Sequence, residues 1–244
     1  MRRALFLTAY NRPDYLRDSL VSWESVQGLE GWTVLATIEP SPLQSAVSDI
    51  IRSFSDRMGI DIELTINPER YGVLRHPWVV FERLFSEGFD FVVRTEDDIV
   101  VSDDILKFFE WSSEHFEHDP EIATVNAFNT MTSDPTQPDV VQRSRQFSPL
   151  VWGTWRDRWE QVISPTWDHD YSTFNDYPGH QSGWDWNLNT RVLPQRGLRC
   201  AVPCAPRSDH IGVVGTHGTA ENFFRNPHFQ QFWGSPTFRE ADIT

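Results

Sequence analysis

The chain lacks features that define several large classes of protein. It has only two cysteines, Cys200 and Cys204, which excludes a disulfide framework and indicates a reducing compartment. The apolar run after Met1-Arg2-Arg3 is too short for a signal peptide or a membrane span. We therefore expect a cytoplasmic protein with no membrane partner.

Positive charge is also scarce. The sequence has 21 Lys plus Arg against 35 Asp plus Glu, which gives a net charge of −14. Such a surface repels the phosphate backbone of nucleic acids and argues against stable nucleic-acid binding. An enzyme that visits a nucleic acid briefly is still compatible with this charge.

A glycine-rich turn is missing after the first apolar run. Residues 4–9 predict a buried strand, which ends in Tyr10-Asn11-Arg12-Pro13. A dinucleotide site requires G-x-G-x-x-G at this place and a P-loop requires G-x4-G-K-[ST]. Their absence excludes most dehydrogenases and nucleoside triphosphatases, and it disfavours nucleotide-sugar pyrophosphorylases.

Apolar runs alternate with helical patterns in the first half of the chain. The expected strands are 4–9, 33–38, 60–66, 89–94 and 122–127, and the expected helices are one from Pro13 and those at 43–54, 78–85 and 105–116. This order predicts an α/β fold with a mostly parallel, Rossmann-like central sheet flanked by helices. We expect one domain over 1–244, with a tryptophan-rich C-terminal lobe.

Three adjacent carboxylates, Glu96-Asp97-Asp98, follow the predicted strand at 89–94. Like charges so close together repel, and Mn²⁺ or Mg²⁺ prefers oxygen ligands of this kind. Ligands of open α/β sheets bind at the carboxyl ends of the strands. The alternative is a cap on the helix that starts at Ile105, but Ser102-Asp103-Asp104 already suits that role. The triplet therefore predicts a metal site that serves a phosphate-bearing substrate.

Two motifs together resemble a known family. Tyr10-Asn11-Arg12-Pro13-x-Tyr15-Leu16 and Glu96-Asp97-Asp98-Ile99-x-Val101-x-x-Asp104 resemble metal-dependent GT-A glycosyltransferases, and they are most similar to the N-acetylglucosaminyltransferase I family. The resemblance implies that Asp98, in a DXD-like motif, is the main ligand of Mn²⁺ or Mg²⁺. It also implies that residues 1–118 form the nucleotide-binding half and 119–244 the acceptor-side half.

The resemblance further implies roles for three separate segments. His76 corresponds to a histidine near the nucleotide base, and Asp185 in Gly183-Trp184-Asp185-Trp186 corresponds to the catalytic base. Gly215-Thr216-His217-Gly218 resembles a closing segment of the family. The alternative for Asp185 is a helix N-cap between two core tryptophans.

The expected site residues fall into three groups. Asp185 is the expected catalytic residue; substrate and nucleotide are expected at Ala9, Tyr10, Asn11, Arg12, Glu39, Arg75, His76, Glu96, Asp97, Gly153 and Trp184; and the metal is expected at Asp98, Asp97 and either His217 or His210. The alternatives are a solvated loop acid for Glu39, a turn glycine for Gly153, ordinary exposed side chains for the arginines and unligated side chains for the histidines.

These residues predict a hexosyl- or pentosyltransferase. The expected donor is a nucleotide sugar linked to UDP, and the expected reaction inverts the configuration at the sugar. The acceptor is a protein, a glycan precursor or a hydroxylated nucleobase in DNA. A metal-dependent nucleotidyltransferase and a non-catalytic carbohydrate-binding protein that uses its tryptophans are the alternatives.

Overall fold

The computed structural model describes residues 1–129, 133–169, 183–213 and 237–241. Strands and helices alternate in the first half, as the apolar pattern predicts. The elements are β1 (Arg3–Ala9), α1 (Pro13–Trp23), a 3-10 turn (Leu29–Gly31), β2 (Thr33–Ile38), α2 (Gln44–Met58), β3 (Ile62–Ile66), α3 (Gly72–Ser86), β4 (Phe91–Glu96), β5 (Ile99–Val101) and α4 (Ile105–His115).

The second half contributes short strands and helical turns. The strands are β6 (Ile122–Asn126), β7 (Val140–Ser144), β8 (Trp152–Trp155), β9 (Arg199–Pro203), β10 (Ser208–His210) and β11 (Arg239–Glu240). The helical turns are α5 (Arg156–Arg158), a π turn (Trp159–Ile163), a 3-10 turn (Ser164–Thr166), α6 (Trp184–Asn187), a π turn (Leu188–Val192) and α7 (Leu193–Arg196).

Within the described residues, the main sheet has nine strands in the order β11-β7-β9-β6-β8-β4-β1-β2-β3. The strands β3, β2, β1 and β4 are parallel, which confirms the predicted doubly wound arrangement. The strand β8 lies antiparallel between β4 and β6 and joins the two halves of the sheet. Because β1, β2 and β4 are parallel, their carboxyl ends at Ala9, Ile38 and Glu96 lie along one edge.

Apolar side chains on both faces of the sheet form the core. The helices α1, α2 and α4 cover one face, and the predicted residues Leu16, Leu20 and Trp23 of α1 are buried there. The helix α3 covers the other face together with side chains from the tryptophan-rich region. The order of layers therefore matches an α/β fold with helices on both sides of the sheet.

The tryptophan-rich region forms aromatic clusters, but most of them lie inside the protein. Five of its six tryptophans are buried, namely Trp152, Trp155, Trp159, Trp167 and Trp184. The rings of Trp167 and Trp184 stack with their centroids 4.4 Å apart. Because these rings pack on each other, they offer no open face to a sugar. These five tryptophans therefore do not form the sugar-binding surface that the alternative of a carbohydrate-binding module requires.

The helix α3 begins six residues before the predicted start at Trp78. Its N-terminus is fixed by Glu39, whose carboxylate accepts hydrogen bonds from the backbone N–H groups of Tyr71 and Gly72. Pro77 consequently lies inside the helix instead of at its start. A contact from Glu39, directly after β2 and distant in sequence, thus sets a helix start that the local apolar pattern does not show.

Cys200 and Cys204 are both buried free thiols. Burial raises the pKa of Cys204 to about 11 and that of Cys200 to about 12. Both groups are therefore protonated and unreactive at neutral pH. No helix among the described residues is long and apolar enough to cross a membrane.

Candidate active site at the carboxyl edge of the sheet

Asp97 and Asp98 lie directly after β4, and both carboxylates are buried. The Arg12 guanidinium bridges them: Nη1 donates to Asp98 Oδ2 at 2.6 Å, and Nη2 donates to Asp97 Oδ1. The backbone N–H of Tyr10 also donates to Asp97, at 3.2 Å. The Tyr10-Asn11-Arg12-Pro13 turn and the acidic triplet, separate in sequence, thus form one site. The positive charge of Arg12 thus offsets part of the repulsion between the carboxylates of Asp97 and Asp98.

The two carboxylates have different proton affinities. Burial, with a contribution from the charge of Asp98, raises the pKa of Asp97 to about 6 against the opposing effect of Arg12. Burial also acts to raise the pKa of Asp98, but a hydrogen bond with His210 and the charge of Arg12 outweigh it and lower that pKa. Asp98 is therefore the more strongly anionic of the pair.

The pairing of β10 with β5 brings His210 to Asp98. The strands pair antiparallel with His210 opposite Ile99, and His210 Nε2 lies 3.2 Å from Asp98 Oδ2. The backbone N–H of Ile211 donates to the carbonyl of Asp98 at 2.9 Å. Burial acts to lower the pKa of His210, but the hydrogen bond with Asp98 and the negative charges of Asp98 and Glu96 together outweigh burial and raise that pKa.

Gly212 is required by this close approach. A Cβ atom built on Gly212 would lie 2.3 Å from Asp98 Oδ2 and 2.9 Å from His210 Nε2. Both distances are shorter than van der Waals contact, so any side chain at this position would push the carboxylate and the imidazole apart. The sequence analysis missed this glycine because its function depends on a pairing between distant segments.

A buried ion pair anchors the strand β10, which carries His210. Arg207 is fully buried, and its Nε lies 3.0 Å from both carboxylate oxygens of Asp104. Asp104 was predicted to cap α4; it occupies the N-cap position but makes no capping hydrogen bond with its side chain. Its carboxylate instead binds Arg207 and accepts a hydrogen bond from Ser102. The acidic group before α4 thus holds the β10 segment.

The Asp98–His210 pair fits a divalent ion. Two adjacent ligands of an octahedral ion with bonds of about 2.1 Å lie about 3 Å apart, close to the distance between these two atoms. No group of three or more potential ligand side chains occurs among residues 1–129, 133–169, 183–213 and 237–241. Mg²⁺-type ions are usually bound by one or two carboxylates together with substrate phosphates and water, so two protein ligands are sufficient. His217, the other predicted ligand, lies outside the described residues.

Glu39 and His76 form a buried cluster at the carboxyl end of β2. His76 Nδ1 lies 3.2 Å from Glu39 Oε1, and His76 Nε2 lies 2.7 Å from Thr37 Oγ1. Burial, helped by the charge of Arg94, lowers the pKa of His76 to about 3, so the imidazole is neutral. Burial also raises the pKa of Glu39. Glu39 is not the solvated loop acid of the alternative interpretation; together with His76 it supports the start of α3.

The remaining residues predicted to contact the nucleotide lie at the end of β1, in the turn after it and on α3. The carbonyl of Ala9 accepts a hydrogen bond from the backbone N–H of Glu39, which links the ends of β1 and β2. Asn11 is exposed, and Arg70 lies over the ring of Tyr10 at 4.6 Å. Arg75 is also exposed, where it pairs with Glu69 at 3.0 Å. Tyr10, Asn11 and Arg70 thus border the edge between β1 and β2.

On the other side of Asp97, Glu96 and Trp184 meet at Arg94. Arg94 Nη2 lies 3.0 Å from Glu96 Oε1, and its guanidinium carbon lies 5.2 Å from the ring centroid of Trp184. Asp185 follows Trp184 in the first turn of α6, where Gly183 occupies the N-cap position. The N-cap alternative for Asp185 is therefore wrong, whereas Trp184 is buried in the core as that alternative expects.

Gly153 is needed for packing in the core of the sheet, whereas the sequence predicts it as a residue that contacts the substrate. It lies within β8, paired with Val93 on one side and Val125 on the other. A Cβ atom would lie 2.7 Å from the ring of Phe91. The missing side chain thus makes room for Phe91 in the core, and the alternative of a turn glycine is wrong as well.

The fold and this site define a protein of the GT-A glycosyltransferase class. The GNT-I family profile matches residues 46–178, more than half of the chain, and the chain belongs to the GNT-I family. This agrees with the resemblance in the acidic and Asn-Arg-Pro motifs.

Solved structures support the same fold. A mannosyltransferase from Pyrobaculum calidifontis, in complex with GDP-Man and Mn²⁺, superposes with a TM-score of 0.56 at 15% identity over 84% of this chain. TarS 1-349 from S. aureus superposes with a TM-score of 0.59 at 11% identity over 92%, and its complex with UDP-GlcNAc gives 0.57 at 12%. The chain spans 57% of the mannosyltransferase and 62% of TarS 1-349.

Proposed function

We propose that the chain transfers a sugar from a UDP-linked donor to a hydroxyl group, in a reaction that depends on a divalent metal and inverts the sugar. The observation that carries this proposal is the cluster of Asp98, His210 and Arg12 at the carboxyl edge of the sheet. It combines a ligand pair suited to a metal with a guanidinium suited to phosphate. The similar structures that contain GDP-Man with Mn²⁺ and UDP-GlcNAc support a nucleotide-sugar donor.

In this proposal, Asp98 and His210 hold Mn²⁺ or Mg²⁺, and Asp97 is a second or outer ligand. The bound ion would act as a Lewis acid that neutralises charge on the departing diphosphate. Arg12 would add a second positive charge beside the same phosphates. The nucleotide would lie along Tyr10, Asn11 and the cluster of Glu39 and His76.

The sugar would lie toward the partly exposed Glu96, and Asp185 would act as the general base. The acceptor oxygen attacks the anomeric carbon while the bond between that carbon and the diphosphate oxygen breaks. Asp185 takes the proton that the acceptor hydroxyl loses. Attack from the face opposite the diphosphate converts an α-linked donor into a β-linked product.

The test begins with nucleotide sugars screened by thermal shift, with and without Mn²⁺. A ligand that binds only the native state raises its melting temperature, so stabilisation by a UDP-sugar that requires Mn²⁺ is expected. Turnover should then release UDP and form a product whose anomeric coupling by NMR is that of a β linkage. Release of UMP would replace the proposal with a nucleotidyltransferase, and a retained α linkage would remove the in-line base.

A further inference from the structure

Arg94 is an unusual residue for its position in the sheet. It lies on the central strand β4, it is 2% exposed, and its partners across the sheet are Phe6 on β1 and Trp152 on β8. Both partners are fully buried aromatic side chains. A charged group enclosed in this way is costly unless its polar atoms are paired.

The polar atoms of Arg94 are only partly paired. Its Nη2 lies near Glu96, two residues further along the same face of β4, while Nε and Nη1 are buried without a hydrogen-bond partner among the described residues. The guanidinium also lies over Trp184, and its charge helps to keep His76 neutral. A side chain kept only for stability would satisfy its donors, and a Met of similar length would avoid this cost.

Direct binding of a ligand does not explain Arg94 either. Its Nε and Nη1 atoms are shielded from solvent, so no substrate group reaches them in this structure. Glu96, in contrast, has a side chain that is 27% exposed at the edge of the site. The contact through which Arg94 influences the site is therefore its ion pair with Glu96, beside the ring of Trp184.

We propose that Arg94 is a positioning residue that orients the carboxylate of Glu96 against Trp184, so that Glu96 accepts hydrogen bonds from the hydroxyl groups of the donor sugar. This inference rests on the proposed function, because it assumes a nucleotide-sugar donor. It assigns Arg94 to the recognition of the sugar and not of the nucleotide. Loss of Arg94 should therefore weaken binding of a UDP-sugar and leave binding of UDP unchanged.

The binding test compares UDP, UDP-GlcNAc and UDP-glucose by calorimetry with Mn²⁺. Arg94→Met should weaken the better of the two UDP-sugars about tenfold, or about 1.4 kcal/mol, and leave UDP unaltered. Arg94→Lys keeps the charge and should fall between Arg94→Met and wild type. In a Glu96→Gln background, Arg94→Met should have little further effect, because Arg94 acts through Glu96.

Arg83→Met is the matched control, since it removes only the surface ion pairs of Arg83 with Glu63 and Glu87 and should alter no affinity. Equal losses of UDP and UDP-sugar affinity in Arg94→Met, full additivity with Glu96→Gln, or unchanged affinities would each overturn the inference. So would a melting temperature well below that of wild type, which would assign Arg94 a purely structural role.

A crystal structure of Arg94→Met without ligand separates this inference from the proposed function. The carboxylate of Glu96 should leave its wild-type position beside Trp184. An unmoved Glu96 overturns the positioning role even if the wild type binds UDP-sugars. If Glu96 moves but wild type binds neither UDP nor a UDP-sugar, the positioning contact stands and sugar recognition, together with the proposed function, is wrong.

Discussion

At the residue scale, a few charges decide what the site does. The Arg12 guanidinium pairs with the carboxylates of both Asp97 and Asp98. His210 pairs with Asp98. Asp98 is therefore the group around which a metal, an arginine and a histidine meet. Substitutions at Asp98 and Arg12 should have opposite effects on the affinity for a metal.

Asp98→Asn should abolish Mn²⁺ binding while the protein stays folded. The amide has no net charge, and the remaining Asp97 still pairs with Arg12, so no new charge is left alone. We expect the affinity for Mn²⁺ to fall at least about 100-fold, which corresponds to about 2.8 kcal/mol. Calorimetry with Mn²⁺ alone measures this. Asp103→Asn, which changes an exposed neighbour, is the control, and an unaltered affinity in Asp98→Asn would remove Asp98 from the metal site.

Arg12→Gln should bind Mn²⁺ more tightly than wild type when no nucleotide is present. Arg12 Nη1 donates to Asp98 Oδ2, the same oxygen that faces His210, so the guanidinium competes with a metal for that atom. We expect about a tenfold gain for Mn²⁺ and a loss for UDP, whose phosphates lose a positive charge. Arg17→Gln, on the exposed side of α1, is the control. Weaker Mn²⁺ binding in Arg12→Gln would show that the two cations do not compete.

Asp185→Asn tests the general base. The amide keeps the shape of the side chain but accepts no proton, so transfer should fall by about 10²-fold or more. Binding of UDP with Mn²⁺ should be unchanged, because the proposal gives Asp185 no contact with the metal or the nucleotide. Transfer rates and calorimetry on the same variant check both statements, with the exposed Asp157→Asn as control. Near-normal turnover would leave Asp185 without a catalytic role.

The sequence predicted the acidic residues of the site better than their partners. Asp97 and Asp98 were named as metal ligands from the triplet, whereas His210 was one of two alternative histidines, and these ligand roles stay predictions. Arg94 has a sequence signal that was not used, since an arginine interrupts an otherwise apolar strand pattern. Gly212 has no such signal, because the need for a glycine appears only when Asp98 and the segment after β10 are seen together.

At the scale of elements, the local apolar pattern is sufficient to predict the parallel strands β1 to β4, but it does not predict most of the strands in the rest of the sheet. The bounds of β2 and the start of α4 were predicted correctly, because apolar periodicity is a local property. The strands β5, β7, β8, β9, β10 and β11 were not predicted. Each is short and gains its hydrogen bonds from strands distant in sequence, such as β8 between β4 and β6.

The segment after β10 approaches Asp98 closely at Gly212, and a substitution at Gly212 tests whether this approach is needed. Gly212→Ala should weaken Mn²⁺ binding by about tenfold or more, because the added methyl group would overlap Asp98 Oδ2 and separate it from His210. Gly31→Ala is the matched control, since the nearest atom to its added Cβ is 4.0 Å away. Calorimetry with Mn²⁺ measures both variants. Equal affinity in Gly212→Ala and wild type would show that the segment adjusts without cost.

At the scale of the whole molecule, buried ionisable groups couple the site to stability. His76, Asp97 and Asp98 are buried at one edge of the sheet, so their titration changes the free energy of unfolding as well as ligand binding. Their effects differ in sign. The raised pKa of Asp97, about 6, makes stability fall as pH rises from 3.8 to 6, because the folded state holds a proton that the unfolded state has released. His76 acts in the opposite direction.

His76→Gln should make the protein less sensitive to acid. The pKa of His76 is about 3 in the folded state against 6.5 for an ordinary histidine, so the unfolded chain takes up a proton between these values and the folded chain does not. Stability from this group is complete above pH 6.5 and is lost as pH falls toward 3. At about 1.4 kcal/mol per pH unit, the full loss is about 5 kcal/mol. Glutamine has no proton to gain, so the variant avoids this loss.

The measurement is the free energy of unfolding in urea at several pH values between 7 and 4. This range covers most of the interval between the two pKa values of His76, 6.5 in the unfolded chain and about 3 in the folded state. The difference between wild type and His76→Gln isolates the histidine, because Asp97 and the other acids are common to both proteins. His118→Gln, which changes an exposed histidine, should follow the wild-type curve. Parallel curves for wild type and His76→Gln would mean that His76 charges freely in the folded state, and the buried cluster with Glu39 and Thr37 would then not hold it neutral.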